Sequence, residues 1–274
     1  MRPILLSFAI SAIAFAAPLE VVRPIIAQSD GGPPMPPGFE HVAGETLFFS
    51  CRIANYQKTS EEKIHLAYSV QAFDPKGVPL VELFKNDITA EVVPQDKEWM
   101  PRIATEIAIP PLIAPGTYSI VVKVEDLVAK SKAELSVPFQ VRGRRVGPSE
   151  SLTIENFQFF RGEDDAQPAE EAVYRPGDSV WTRFDITGFR YGPGNQIDVG
   201  YVVSVLDSAG KVLWTQPEAT TERGGSFYPK LWVSASMSIT IQKNTRPGQY
   251  SFLVQVKDAV GNQTYETKAA FTVQ

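Results

Sequence analysis

The segment PGTYSIVVKVED, from Pro115 to Asp126, occurs twice in this chain, returning as PGQYSFLVQVKD from Pro247 to Asp258. The match runs on without a gap. Between 115–141 and 247–273, eleven of 27 positions are identical, Tyr118/Tyr250, Asp126/Asp258 and Phe139/Phe271 among them. After the Pro-Gly turn, alternation places Tyr118, Ile120, Val122 and Val124 on one face and Ser119, Lys123 and Glu125 on the other. That is the pattern of an antiparallel strand with one face in a core. The repeat also reaches far upstream. At a constant offset of 133, Gly44, Ile53, Tyr68, Asp74, Gly77 and Leu80 match Gly177, Ile186, Tyr201, Asp207, Gly210 and Leu213, and one late deletion reduces the offset to 132. Each copy has the length of one all-β sandwich, and two of them account for the chain.

Residues 1–16 carry the pattern of a secretory signal: Arg2, an apolar run from Ile4 to Phe15, and Ala14-Phe15-Ala16 before the cleavage point. The run falls short of the about 20 residues that a bilayer span takes. Leu19 and Val21 align with Leu152 and Ile154, which makes 19–27 a first strand and argues against cleavage after Ala27. The expected organisation is a signal peptide at 1–16, a first sandwich at 17–141, a linker at 142–151 and a second sandwich at 152–274. At 43% hydrophobic, the chain can bury two ordinary cores. A net charge of −5 gives no electrostatic footprint for nucleic acid. No later apolar run is long enough for a membrane span, so the expected location is extracytoplasmic, periplasmic or secreted, with no integral membrane segment after cleavage.

Strands are predicted at 19–27, 45–54, 63–73, 78–84, 103–109, 117–125 and 132–141. A second row is predicted at 152–161, 178–187, 196–206, 211–216, 236–242, 249–257 and 264–273. The Asp74-Pro75-Lys76-Gly77 turn joins 63–73 to 78–84 as a hairpin, and no segment keeps a helical period. In this setting the PGxYxxxVxVxD pattern resembles the late-strand signature of bacterial immunoglobulin-like and fibronectin-III-like modules. The resemblance implies an all-β chain of two tandem immunoglobulin-like antiparallel β-sandwiches. By analogy with the tyrosine corner, it also implies that the Tyr118 and Tyr250 hydroxyls bond backbone near the Pro-Gly turns. The antibody-type cysteine pair is absent.

Cys51 is the single cysteine, so no internal disulfide forms. In the alternation Leu47, Phe49, Cys51, Ile53 it takes the place of Phe184, which predicts a buried and inert thiol. His41 and His65 are the two histidines, and both are expected to be exposed and solvated rather than catalytic. No nucleophile elbow, phosphate loop or zinc-spaced set occurs, so no catalytic residue, cofactor or metal ligand is assigned. Glu163, Asp164, Asp165, Glu170 and Glu171 form an acidic loop without calcium-loop spacing, expected to be solvated. The linker arginines Arg142, Arg144 and Arg145 are expected to be solvated, steered toward that loop, with the two sandwiches as separate cores.

Aromatic residues present in both copies (Trp99/Trp232, Tyr56/Phe189, Tyr68/Tyr201) are most simply scaffold. Tyr191, Trp214, Phe227 and Tyr228 have no aromatic counterpart and are the candidates for a binding surface peculiar to the second sandwich. The expected function is a non-catalytic binding, adhesion or assembly module of the bacterial envelope or exterior, its partner a protein or a polysaccharide. The alternative is a carbohydrate-binding accessory protein that uses those four aromatics.

Overall fold

The computed structural model describes residues 17–274 apart from Lys97 and Pro148, so the expected signal peptide lies outside the described residues. In chain order the first eight strands are β1 (Glu20–Ala27), β2 (Glu40–Val42), β3 (Thr46–Ala54), β4 (Lys63–Phe73), β5 (Phe84–Glu91), β6 (Arg102–Ala108), β7 (Gly116–Asp126) and β8 (Ser131–Arg142). They form a three-stranded sheet, β1-β3-β6, facing a five-stranded sheet, β2-β8-β7-β4-β5. The second set is β9 (Thr153–Phe160), β10 (Val173–Tyr174), β11 (Ser179–Thr187), β12 (Ile197–Leu206), β13 (Val212–Thr215), β14 (Thr220–Gly224), β15 (Val233–Thr240), β16 (Gly248–Asp258) and β17 (Gln263–Val273). The same order returns: β15-β11-β9 faces β10-β17-β16-β12-β13, with β14 also pairing β12. The protein is all-β, two antiparallel sandwiches in tandem. Its helical content among the described residues is two short 3-10 turns.

Alternation does what the sequence requires of it. Tyr118, Ile120, Val122 and Val124 are all buried in the first core, alongside Leu47, Phe49, Cys51 and Ile53. The repeat extends to backbone conformation, because non-glycine residues turn left-handed at matched positions. These are Arg23 (φ 52°) with Asn156 (54°), Glu62 (60°) with Asn195 (54°), and Lys130 (55°) with Asn262 (49°). The first pair marks a bulge in the outer strand of each three-stranded sheet. Gly188 also holds a repeat position that demands it, because a Cβ there would stand 1.9 Å from the Ser151 carbonyl oxygen. Its counterpart Asn55 instead donates a side-chain hydrogen bond to the matching carbonyl, that of Pro18.

One fully buried carboxylate closes each fold. Asp126 accepts from the backbone N–H groups of Gln57, Val128 and Ala129. Asp258 accepts from the equivalent N–H groups of Arg190, Val260 and Gly261, and from the Gln263 amide. The tyrosine-corner expectation holds in both copies. The Tyr118 hydroxyl donates to the Ala114 carbonyl at 2.6 Å, and that of Tyr250 to the Arg246 carbonyl at 2.8 Å.

The structure corrects one strand assignment and adds three strands. Residues 78–83 form no regular strand. The turn after Asp74 closes with a single bridge, Phe73 to Pro79, and the strand that pairs β4 begins only at Phe84. The Leu80 N–H still reaches the Ala72 carbonyl, and regular pairing resumes only at Phe84. The short parallel strands β2 and β10, which lie beside β8 and β17, escaped the alternation test because two or three residues show no period. The segment now β14 was missed because TTERG carries no apolar face.

Tyr118→Phe and Tyr250→Phe should each cost about 1 kcal/mol, the worth of one internal hydrogen bond. Tyr118→Phe should cost more, since Tyr118 is 2% exposed and Tyr250 half-buried. Urea denaturation of the two variants checks the order.

Candidate binding surface

The four candidate aromatics do not gather into one surface. Tyr191 and Phe227 lie in neighbouring loops at one end of the second sandwich, where Asn195 donates to the Ser226 and Phe227 carbonyls and Tyr191 to that of Lys230. Both rings are exposed, at 41% and 50%. Trp214 is on β13, away from them. Tyr228 is not a surface residue at all. It is 6% exposed and packs into the core of the first sandwich, with Leu231 against the same core. Its hydroxyl donates to Asp74 Oδ2 at 3.1 Å, while Oδ1 of the same carboxylate closes the turn by accepting from the Lys76 and Val78 N–H groups. Burial and the nearby Asp74 charge push the Tyr228 hydroxyl far above its usual range, so it stays a donor. The expectation of a glycan-facing Tyr228 fails because the loop that carries it is clamped onto its neighbour.

The linker is likewise engaged. Arg144 reaches the fully buried Asp185, not the acidic loop, at 2.5 Å; Asn156 and Ser234 complete the carboxylate's partners. Val146 is buried. The two cores therefore meet through Tyr228 and Leu231, which sequence reasoning missed because these residues have no apolar counterparts in the first copy (Gln95 and Glu98).

Trp214 faces an opening. A groove of about 420 Å³ runs between the two sheet edges of the second sandwich, lined by Leu213, Trp214, Ile239, Ile241, Tyr250 and Phe271. The first sandwich fills most of the equivalent place with its own side chains, leaving a smaller hollow of about 280 Å³. There Leu80 keeps register, its N–H on the Ala72 carbonyl, and is 3% exposed; Ile113 is 1% exposed. In the second copy Thr245 replaces Ile113. A bulge on β13 pairs Trp214 with Val205 and throws Leu213 outward, to 52% exposure. The outer edge of β13 is thus bare, apolar backbone: Val212, Leu213 and Trp214 are all exposed. The other strands at this edge position carry charges, Lys85 and Asp87 on β5 and Glu222 and Arg223 on β14, which is how natural edges are guarded.

Larger hollows carry less information. A shallow concavity of about 700 Å³ over Gly200 and Tyr201 recurs over the matched Ala67 and Tyr68 in the first sandwich, so it belongs to the shared sheet surface. The acidic loop turns its carbonyls inward: those of Glu163 and Asp165 accept from Arg183, whose guanidinium sits 4.1 Å from the centre of the Phe160 ring. Among the described residues no group of three or more His, Cys, Asp or Glu side chains is arranged to hold a metal.

His65 is on the outer face with Asp87 3.6 Å away. His41, expected at the surface, is 4% exposed and edge-on to Phe39 and Phe139, because β2 lays it against β8. Cys51 is buried as expected, and burial pushes its thiol up to about 12. No helix among the described residues is long and apolar enough to cross a membrane.

No family model and no curated protein matches the chain. Among solved structures it is similar to the C-terminal domain of the AgI/II polypeptide BspA of Streptococcus agalactiae, at 10% identity and a TM-score of 0.33 over 94% of this chain and 100% of that one. It is also similar to the alkylpurine DNA glycosylase AlkC of Pseudomonas fluorescens bound to DNA containing an abasic site analogue. There the identity is 16% and the TM-score 0.27, over 45% of this chain and 30% of that one. Likenesses this distant carry neither a ligand nor an activity across.

Two predictions follow from the buried groups. Burial holds the His41 imidazole below its ordinary 6.5, against the opposing pull of Glu45. The unfolded chain therefore takes up this proton first, so the stability that a neutral His41 supplies is full above pH 6.5 and is lost as pH falls through that value. Denaturation midpoints between about pH 7.5 and 5 should fall, and fall less in His41→Gln. At the junction, Tyr228→Phe removes a hydrogen bond to a carboxylate and should cost about 2 kcal/mol in urea denaturation of the whole chain.

Proposed function

We propose that this chain is an exported, non-catalytic binding or assembly module of the bacterial envelope or exterior, built of two immunoglobulin-like sandwiches. The observation that carries this reading is the unguarded edge of β13 beside its apolar groove. Although β13 is short and bulged, its exposed Val212, Leu213 and Trp214 carry no charge, and an exposed apolar patch beside a groove marks an interaction site. The contrast with the first copy, where Leu80 and Ile113 fill the same seat, supports a role acquired by the second sandwich alone.

The dispersal of the aromatics weighs against the alternative of a sugar-binding accessory protein. A flat glycan platform needs neighbouring exposed rings, whereas Tyr228 is buried and Trp214 is separated from Tyr191 and Phe227. The absence of an assigned nucleophile and base is consistent with a binding role. His41 is enclosed by phenylalanine rings and Cys51 has its thiol pushed up to about 12. An extracytoplasmic location rests on the leader-like residues 1–16.

The test compares wild type with Leu213→Lys, which guards the edge as β5 and β14 are guarded. Native envelope proteins retained by the immobilised wild type should be lost by the variant, and a polysaccharide panel should bind neither. Retention of a polysaccharide that Trp214→Ala abolishes would reverse the choice between the two readings.

A further inference from the structure

The open side of the first sandwich offers a counterpart to the β13 groove. Between β5 and β6 lies a smaller hollow of about 280 Å³, bordered by Leu83 and Phe84, which are 44% and 40% exposed, and by the carboxylates of Glu82 and Glu106. The lining of the β13 groove is uncharged, and three basic residues flank it in sequence. Lys211 directly precedes Val212, Lys243 directly follows the groove residue Gln242, and Arg246 supplies the carbonyl that takes the Tyr250 hydroxyl. All five charged residues are exposed. None of them forms an ion pair among the described residues. The exceptions to this polarity are Lys85 on the first rim and Asp178, Asp207 and Glu218 near the second. Of these, Asp207 is engaged in closing its own turn.

We propose that the β13 groove of one copy takes residues 81–84 of the first sandwich of a second copy, a deepening that rests on the reading of β13 as a docking edge. Residues 81–83 precede the regular strand β5 and lie outside the β4 ladder, which begins at Phe84, although the Val81 carbonyl accepts from the Gln71 amide. They add along β13 with Leu83 and Phe84 against Leu213 and Trp214. Glu82 and Glu106 come to lie over the three flanking basic residues. Lys85 and Asp87 end the pairing, as charges on an edge do. Because the two surfaces differ, the contact is heterologous. Each copy offers one ridge and one groove, so association closes into a symmetric assembly or runs on as a chain.

Sedimentation velocity on the purified full chain tests this, with circular dichroism to verify folding of the variants, all at exposed positions. Wild type should associate as its concentration rises, at least tenfold more weakly in about 0.5 M salt than in 0.05 M, because exposed charge pairs are screened. Leu213→Lys and Phe84→Lys should each be monomeric alone. Mixed together they should form a heterodimer and nothing larger, since the mixture retains one intact ridge and one intact groove. A wild type that stays monomeric overturns the proposal. So does a loss confined to Leu213→Lys, which would mark pairing of β13 with itself, or a mixture that fails to associate. If wild type is monomeric while Leu213→Lys still loses its envelope partners, self-docking is wrong and the binding role stands; if both measurements fail, the docking edge itself is wrong.

Discussion

Each sandwich depends on one carboxylate sealed from water. Asp126 and Asp258 are fully buried, and an isolated charge there would be prohibitive. Both are sustained by backbone N–H donors from two separate loops, the kind of charge-assisted bonding that offsets desolvation. In the second sandwich the consequences travel. Asp258 fixes Arg190; the next residue, Tyr191, holds the Lys230 carbonyl; and Asn195, in the same loop, holds Ser226 and Phe227. Tyr228 is thereby presented to Asp74. The junction between the sandwiches is an outgrowth of the device that closes each of them.

The two copies share that device and differ in how they finish their open sides. Leu80 and Leu213 are the same repeat position, yet one is core and the other surface, because a single bulge reverses the side chain. In a pleated strand, one extra residue exchanges the two faces, so a small change in a hairpin opens a cavity without altering the sheet order. The sandwich lost part of its seal and kept its fold.

Much of this was readable from the residues. Alternation and the repeat identify the long strands, the buried side of β7 and β16 and the buried Cys51, since each follows from period two or from a matched position, while the corner tyrosines' bonds were implied by the resemblance to immunoglobulin-like modules. The parts that were not readable share a cause. β2, β10 and β14 are too short or too polar to show a period. His41 looked like a surface histidine because the strand that buries it has three residues. Tyr228 stood out as unmatched, which was a real signal. Unmatched positions mark what one copy does that the other does not, and an interface between copies satisfies that as well as a ligand does. The match of Leu213 to Leu80 gives no sign of its exposure, because a bulge leaves no trace in a single strand's composition.

The bond from Tyr228 to Asp74 spans 154 positions of sequence. Its acceptor is a turn that Asp74 closes locally, through N–H groups two and four residues away. The receiving turn therefore needs nothing from the second half to form, and with domains folding in order of synthesis the later sandwich meets an acceptor that is already shaped. Synthesis direction thus becomes part of the architecture: exchanging the order of the two halves would keep every strand and lose the template.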